Sequence, residues 1–149
     1  MDRLDVEKYL HAHIPLSRAM AVAVQAATPV CVRLSAPLAP NINHRETVFG
    51  GSASAVAILA AWTLLYVRLE SENIIARVVI QKNTMHYEVP ITAAFIAEAT
   101  IDPTEAWAKF IVTLQRRKRA RIAVNVVLRC HDEKVGALEG DFVAIADSR

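Results

Sequence analysis

The chain has 149 residues, of which 54% are hydrophobic and 21% charged, so it is long and apolar enough for one compact domain and is not disordered or fibrous. Its 17 basic and 15 acidic residues leave a formal net charge of +2, which gives no overall sign of a nucleic-acid-binding protein. Cys31 and Cys130 lie far apart and form no C-x-x-C pair, which argues against a disulfide framework and a thiolate zinc site. The charged N-terminal residues lack the apolar core of a secretory signal, so we expect a soluble, cytoplasmic protein.

The first half of the chain predicts a helix, a strand and a second, much more apolar helix. Residues 2–13 carry apolar side chains on one side, and residues 30–35 alternate between apolar and polar, as a half-buried strand does. Residues 53–67 are apolar almost throughout, but this run is shorter than the about 20 residues that a membrane helix needs. We therefore expect a helix that protein buries on nearly every side, with Ser52 as its N-cap.

The second half of the chain predicts four strands and one helix. β-branched or alternating residues indicate strands at residues 74–81, 91–101, 120–131 and 135–146. Pro103 marks the start of a helix over residues 103–116, since proline is favoured at a first helical position. A turn at residues 131–134 makes the last two strands a hairpin. A long apolar helix with a run of antiparallel strands predicts an α+β fold in which the sheet curls around the helix, as a single domain over residues 1–149.

Several motifs along the chain are similar to those of one protein family. They are L-S-A-P-L-A-P-N-I-N at residues 34–43, T-V-F-G-G-S at 47–52, H-Y-E-V-P at 86–90, Q-R-R-K-R-A-R at 115–121 and G-D-F-V-A at 140–144. Together they resemble the YiiD C-terminal family of the thioesterase superfamily, and the resemblance implies a hot-dog fold. It also implies acyl carrier protein or coenzyme A thioesters as substrates, with phosphopantetheine arriving as part of the substrate and no separate cofactor. Because the family includes malonyl-acyl carrier protein decarboxylases, the resemblance implies that Asn43, the second Asn of the N-I-N run, is catalytic.

Hydrolysis of a thioester needs a nucleophile or a base that activates water. The predicted central helix offers no carboxylate before Glu70, beyond its far end. Ser52 does not fit a nucleophile elbow, because Ser54 stands where the second Gly of G-x-S-x-G is required. His44 and Glu46 are the acid–base candidates in the loop before the helix, and otherwise they are solvated loop residues.

Decarboxylation of a malonyl thioester needs hydrogen-bond donors aimed at the developing enolate oxygen, and neither a nucleophile nor a metal. The Asn43 carboxamide and the backbone N–H groups of Gly51 and Ser52 are such donors, although Asn residues also form turns. We therefore predict decarboxylation, with hydrolysis and a non-catalytic module that binds acyl carriers as alternatives. The residues predicted to shape the loop or contact the substrate are Asn41, Thr47, Phe49, Gly50 and Tyr87.

A basic cluster stands out from the nearly neutral chain. Its members are Arg116, Arg117, Lys118, Arg119 and Arg121. The cluster is either a solvated helix end or a docking surface for an acidic carrier protein or the phosphates of coenzyme A. It lacks the aromatic residues of a nucleic-acid surface. His11 and His13 without a third ligand give no metal site.

The segment at residues 74–80 contains only Arg77 as a charge and no Pro, so it would leave a sheet edge without protection. We expect a homodimer or a dimer of dimers, in which Tyr87 of one protomer approaches the Asn43 loop of the other. No nucleic-acid or membrane partner is expected.

Overall fold

The computed structural model describes residues 1–147, which form a six-stranded antiparallel sheet wrapped around one long helix. The helices are α1 (Arg3–His13), α2 (Pro15–Ala19), α3 (Gly50–Ser71) and α4 (Glu105–Arg117). The strands are β1 (Ala23–Ala27), β2 (Val32–Ala36), β3 (Ala76–Tyr87), β4 (Phe95–Thr100), β5 (Arg119–Cys130) and β6 (Glu133–Ala146). The strand order across the sheet is β1-β2-β4-β5-β6-β3, and every neighbouring pair is antiparallel. This is the predicted α+β fold of the hot-dog type.

The central helix α3 extends the predicted apolar helix at both ends and packs against β2 through β6. Its 22 residues are long and apolar enough to cross a membrane, but 61% of its most apolar stretch is buried inside the fold, as in the core helix of a globular domain. Burial is incomplete on one side, where Ala55, Ile58 and Trp62 remain partly exposed. The prediction of a helix covered on nearly every side is therefore wrong for this one stripe, because no element of the described chain lies over it.

The start of α3 differs from the prediction that Ser52 caps it. The helix begins at Gly50, its N-cap residue is Phe49, and no side chain caps it. Ser52 lies inside the first turn, where its N–H donates to the Phe49 carbonyl at 2.9 Å. Ser52 cannot cap the helix because it lies two residues inside its start. The Phe49 ring lies so close over Gly51 that a Cβ there would be 2.3 Å from Phe49 Cε2, so a larger residue at position 51 requires the exposed Phe49 ring to move.

The predicted hairpin and the predicted first helix are confirmed, and two short elements were not predicted. β5 and β6 are joined at His131 and Asp132, whose φ angles of 52° and 63° suit a two-residue hairpin turn. The N-terminus of α1 is capped by a capping box between Asp2 and Asp5.

The elements α2 and β1 were not predicted, because β1 reads A-V-Q-A-A and alanine has a low strand propensity. α4 begins at Glu105 after Thr104, two residues later than the Pro103 start.

One edge of the sheet is open along β3. This strand pairs with β6 over Ala76–Tyr87, and no other strand within residues 1–147 pairs with it. Ile75 O accepts from Asp147 N, so Ile75 belongs to a hydrogen-bonded pair of the β3–β6 ladder. Hydrogen-bonded and non-hydrogen-bonded pairs alternate along an antiparallel ladder, so the backbone N–H and C=O of Val78, three residues later, face away from β6. Trp62 Nε1 donates to Val78 O at 3.0 Å. A groove of about 440 Å³, lined by Ile58, Trp62, Val78 and Ile80 among others, lies between α3 and this strand.

Candidate active site

A cavity of about 320 Å³ lies beside the N-terminal end of α3. The loop before α3, the end of β3 and the neighbouring ends of β5 and β6 enclose it. Its apolar lining includes Val48, Ala53, Met85, Ile91, Leu128 and Val135. Few polar groups line it, and they belong to Thr47, the backbone of Gly50, Tyr87 and Glu88. An apolar cavity with a few convergent polar groups is typical of a small-molecule site.

The loop before α3 is a tight hairpin held by its own backbone. Ile42 and Val48 form an isolated antiparallel bridge, and Asn43 N donates to Thr47 O at 2.8 Å. Val48 N donates to Ile91 O at 2.9 Å, which fastens the loop to the segment that leads into β4. The loop is therefore preorganised, and Thr47 is held at the cavity wall.

Asn43, the predicted catalytic residue, is half-buried within this hairpin. Its Oδ1 accepts from Arg45 N at 2.8 Å and from Thr47 N at 3.2 Å. Its Nδ2 donates to Thr47 Oγ1 at 2.8 Å and lies 3.5 Å from Val48 O. Asn43 is not among the residues that line the cavity. Asn43 forms the turn, and its side chain is connected to the cavity by its hydrogen bond to Thr47, which lines the wall.

The first turn of α3 contains both bonded and unbonded backbone N–H groups. The N–H of Ser52 and the N–H of Ala53 both donate to Phe49 O, at 2.9 Å and 3.1 Å. No residue in the described chain accepts from the N–H of Gly50 or Gly51. The N–H of Gly51, predicted as a donor, therefore has no acceptor within residues 1–147, whereas that of Ser52 is committed to the helix. Neither Gly51 nor Ser52 lines the cavity. The positive end of the helix dipole lies at the same point.

Tyr87 reaches the site from the end of β3. Its hydroxyl donates to Gly50 O at 3.1 Å, and a Cβ on Gly50 would lie 3.4 Å from Tyr87 Cε1. Tyr87 is predicted to approach the Asn43 loop of a partner protomer, but here it contacts the helix start of its own chain. Tyr87 therefore belongs to the same cavity as Gly50.

Phe49 and Asn41 have opposite surroundings. Phe49 is 58% exposed, and its ring lies over Gly51. Asn41 is buried, and its Nδ2 donates to Met20 O at 2.9 Å and Pro37 O at 2.8 Å. Asn41 therefore shapes the loop and does not line the cavity.

The acid–base residues are arranged differently from the prediction. His44 and Glu46 are exposed and do not line the cavity. The carboxylate at the cavity is Glu88, whose Oε1 lies 3.5 Å from Lys134 Nζ. Sequence reasoning missed Glu88 as a site residue, although it follows Tyr87 within the H-Y-E-V-P motif. The motif itself was the signal that could have identified it.

The basic cluster lies at the other end of the sheet from the cavity. Its five members are exposed, around the end of α4 and the start of β5. Arg119 pairs with Ile145, whereas Leu128 at the cavity pairs with Gly136. The distance along β5 from Arg119 to Leu128 is about 30 Å. Within residues 1–147, no group of three or more His, Cys, Asp or Glu side chains is arranged to hold a metal.

Comparison with known proteins gives one family and many similar folds. A family model described as "Putative thioesterase (yiiD_Cterm)" matches residues 3–146. A protein of unknown function from Chlorobaculum tepidum TLS superimposes with a TM-score of 0.90 at 24% identity, over 97% of this chain and 94% of that one. A structure described as a putative thioesterase from Shewanella oneidensis gives a TM-score of 0.85 at 26% identity, over 96% of each chain. A thioesterase from Haemophilus influenzae shares the fold, with a TM-score of 0.77 at 11% identity over 98% of this chain and 92% of that one.

Proposed function

Because the chain belongs to the putative thioesterase (yiiD_Cterm) family, we propose that it is an enzyme that acts on acyl thioesters and decarboxylates malonyl-acyl carrier protein to acetyl-acyl carrier protein. The product would prime fatty-acid synthesis. The substrate brings its own phosphopantetheine arm, so the reaction proposed needs no resident cofactor. We place this reaction in the cytoplasm.

The proposed reaction breaks the bond between the α-carbon and the free carboxylate of the malonyl group. Carbon dioxide leaves, the electron pair of that bond moves into the thioester as an enolate, and a proton from water then completes the acetyl group. The thioester bond stays intact. The protein must supply donors to the enolate oxygen and hold the carboxylate in a productive orientation.

The observation that carries the proposal is the set of donors beside the cavity. The N–H of Gly50, which lines the cavity, has no acceptor within the described chain, nor does that of the adjacent Gly51, which lies outside the lining. Thr47 adds a hydroxyl at the wall. These donors do not titrate in the physiological range, which suits stabilisation of an enolate. The cavity carboxylate, Glu88, lies beside Lys134.

Hydrolysis of an acyl thioester is the second candidate, and Glu88 favours it. A carboxylate at the cavity wall can act as the base that activates water. The family to which the chain belongs is described as a putative thioesterase, which agrees with hydrolysis. In that case Glu88, rather than His44 or Glu46, is the residue that the cavity presents to the substrate.

The open edge of β3 supports a homodimer. Val79 is 53% exposed and Ile75 48% exposed along this edge, and the adjacent groove is apolar. A second copy of β3 that paired across a two-fold axis would satisfy the unpaired backbone groups and cover the partly exposed side of α3.

Such a dimer would also bring the basic cluster to the cavity. Two-fold pairing of β3 is antiparallel, so the Tyr87 end of one protomer lies beside the Ala76 end of its partner. Arg119 lies at the Ala76 end, through the pairs Arg119–Ile145 and Ile145–Arg77. The partner's Arg119 would lie three strand spacings from Tyr87, about 14 Å. We propose that the basic cluster docks the carrier protein, or the phosphates of coenzyme A, for the partner's site.

The test is incubation of the protein with malonyl-, acetyl- and longer acyl-acyl carrier proteins and with the matching coenzyme A esters, followed by mass measurement of the carriers. Conversion of malonyl to acetyl carrier supports decarboxylation, and a free carrier thiol supports hydrolysis. If no carrier changes mass, the enzyme proposal is wrong and the domain only binds acyl carriers.

A further inference from the structure

The orientation of the Asn43 carboxamide is fixed by its neighbours. Two backbone N–H groups, those of Arg45 and Thr47, point at one end of the amide, at 2.8 Å and 3.2 Å. Only the oxygen can accept from them, so the other end must be the NH2 group. That group faces Thr47 Oγ1 at 2.8 Å and Val48 O at 3.5 Å. Both amide hydrogens are therefore directed at the loop itself.

This arrangement decides the direction of the hydrogen bond between Asn43 and Thr47. An NH2 group has no acceptor, so Thr47 Oγ1 must accept and its own proton must point elsewhere. No residue in the described chain accepts that proton. Thr47 is half-buried and lines a cavity whose wall is mostly apolar. A hydroxyl proton in this position lacks a protein acceptor and is available to a ligand.

We propose that Thr47 is the side chain that donates a hydrogen bond to the thioester oxygen of the substrate, and that Asn43 is the positioning residue that holds it. The inference rests on the proposed acyl-thioester chemistry and changes which atom acts. Thr47 keeps its proton and donates a hydrogen bond that strengthens as the oxygen becomes an enolate. The bond from Asn43 polarises the hydroxyl and makes it a better donor.

Three substitutions test this assignment. In Asn43→Asp the carboxylate still accepts from the N–H groups of Arg45 and Thr47, so the turn is kept. It can only accept, however, and so it takes the Thr47 proton away from the substrate. Thr47→Val removes the hydroxyl at nearly equal volume, and Thr47→Ser restores it. We expect kcat to fall about 10²-fold in Asn43→Asp and in Thr47→Val, with KM rising by no more than about 10-fold. In Thr47→Ser we expect kcat to stay near the wild-type value.

The double variant separates the loss of the donor from the added charge. If Asn43→Asp acts by taking the Thr47 proton, Thr47→Val in the same chain costs little further activity. If the new charge acts directly on the substrate carboxylate, the two losses multiply. Asn73→Asp at the far end of α3 and Thr113→Val on α4 are matched controls, and both should retain wild-type turnover.

A binding measurement distinguishes failure of this inference from failure of the proposed function. The probe is the ketone analogue of acetyl-coenzyme A, in which a methylene replaces the sulfur, and calorimetry gives its affinity. We expect Thr47→Val to weaken binding by about 2- to 10-fold and Thr47→Ser to leave it unchanged. Wild-type turnover that persists in Thr47→Val, with unchanged affinity, overturns the assignment while the proposed function stands. A wild-type protein that neither turns over the acyl thioesters nor binds the analogue contradicts both.

Discussion

The hydroxyl of Tyr87 donates to the carbonyl of Gly50 at 3.1 Å, which fastens the end of the edge strand β3 to the first residue of the central helix. The two residues are 37 positions apart in the chain, and both line the same cavity. This hydrogen bond therefore connects the open edge of the sheet to the first turn of α3.

Replacing Tyr87 with Phe should lower turnover by about 2- to 10-fold. The change removes one hydrogen bond of ordinary strength but keeps the ring that lies beside Gly50. The measurement is kcat with malonyl-acyl carrier protein, with Tyr9→Phe on α1 as the control. Full activity in Tyr87→Phe would mean that this contact does not hold the helix start in its working position.

Replacing Glu88 with Gln separates the two candidate reactions. The amide keeps the size and polarity of the side chain but cannot act as a base. If the reaction is decarboxylation, we expect turnover within about threefold of the wild type, since the donors at Gly50, Gly51 and Thr47 are unchanged. A loss of about 10²-fold or more, with hydrolysis as the wild-type reaction, would identify Glu88 as a general base.

A proline at Val78 should abolish pairing along the edge of β3. The Val78 N–H faces away from β6, so its loss spares the sheet within the protomer but blocks a second strand. Light scattering should give twice the chain mass of 16.4 kDa for the wild type and a single chain mass for Val78→Pro. Val78→Ala loses the side chain but keeps the N–H, and it should remain dimeric. A wild-type monomer with full turnover would contradict both the dimer and the shared site.

Tyr66 should give a distinct step in an alkaline titration. Burial, and then the neighbouring Tyr9 and Glu70, raises the pKa of Tyr66 to about 12. The unfolded chain loses this proton near pH 10, so the folded state is favoured fully below about pH 10 and loses that stability as the pH rises to about 12. Phenolate absorbance should show the high step in the wild type and in Tyr87→Phe, but not in Tyr66→Phe. The fall in unfolding free energy over this range should be smaller in Tyr66→Phe.

Much of the fold could be predicted from the sequence because its signals are local. The apolar run of α3 and the alternation of β5 and β6 each report on burial within one element. The start of α3 could not be read in this way, since no side chain caps it. The short elements α2 and β1 were hidden because their residues have little preference for either structure.

The site was predictable in its location but not in its contacts. The motifs pointed to the loop at Asn43 and to Tyr87, and both lie at the start of α3. The hydrogen bond from Asn43 to Thr47 depends on a loop conformation that spacing does not reveal. The approach of Glu88 to the cavity depends on the pairing of β3 with β6, which joins residues far apart in the chain.

The most direct measurement follows the free carboxyl carbon of the malonyl group. Malonyl-acyl carrier protein with an isotopic label at that carbon is incubated with the wild-type protein, and the products are followed by NMR. We expect the label to leave as carbon dioxide and bicarbonate while the acetyl thioester accumulates on the carrier. Label recovered in free malonate, with the carrier thiol released, would contradict decarboxylation and establish hydrolysis as the reaction of this site.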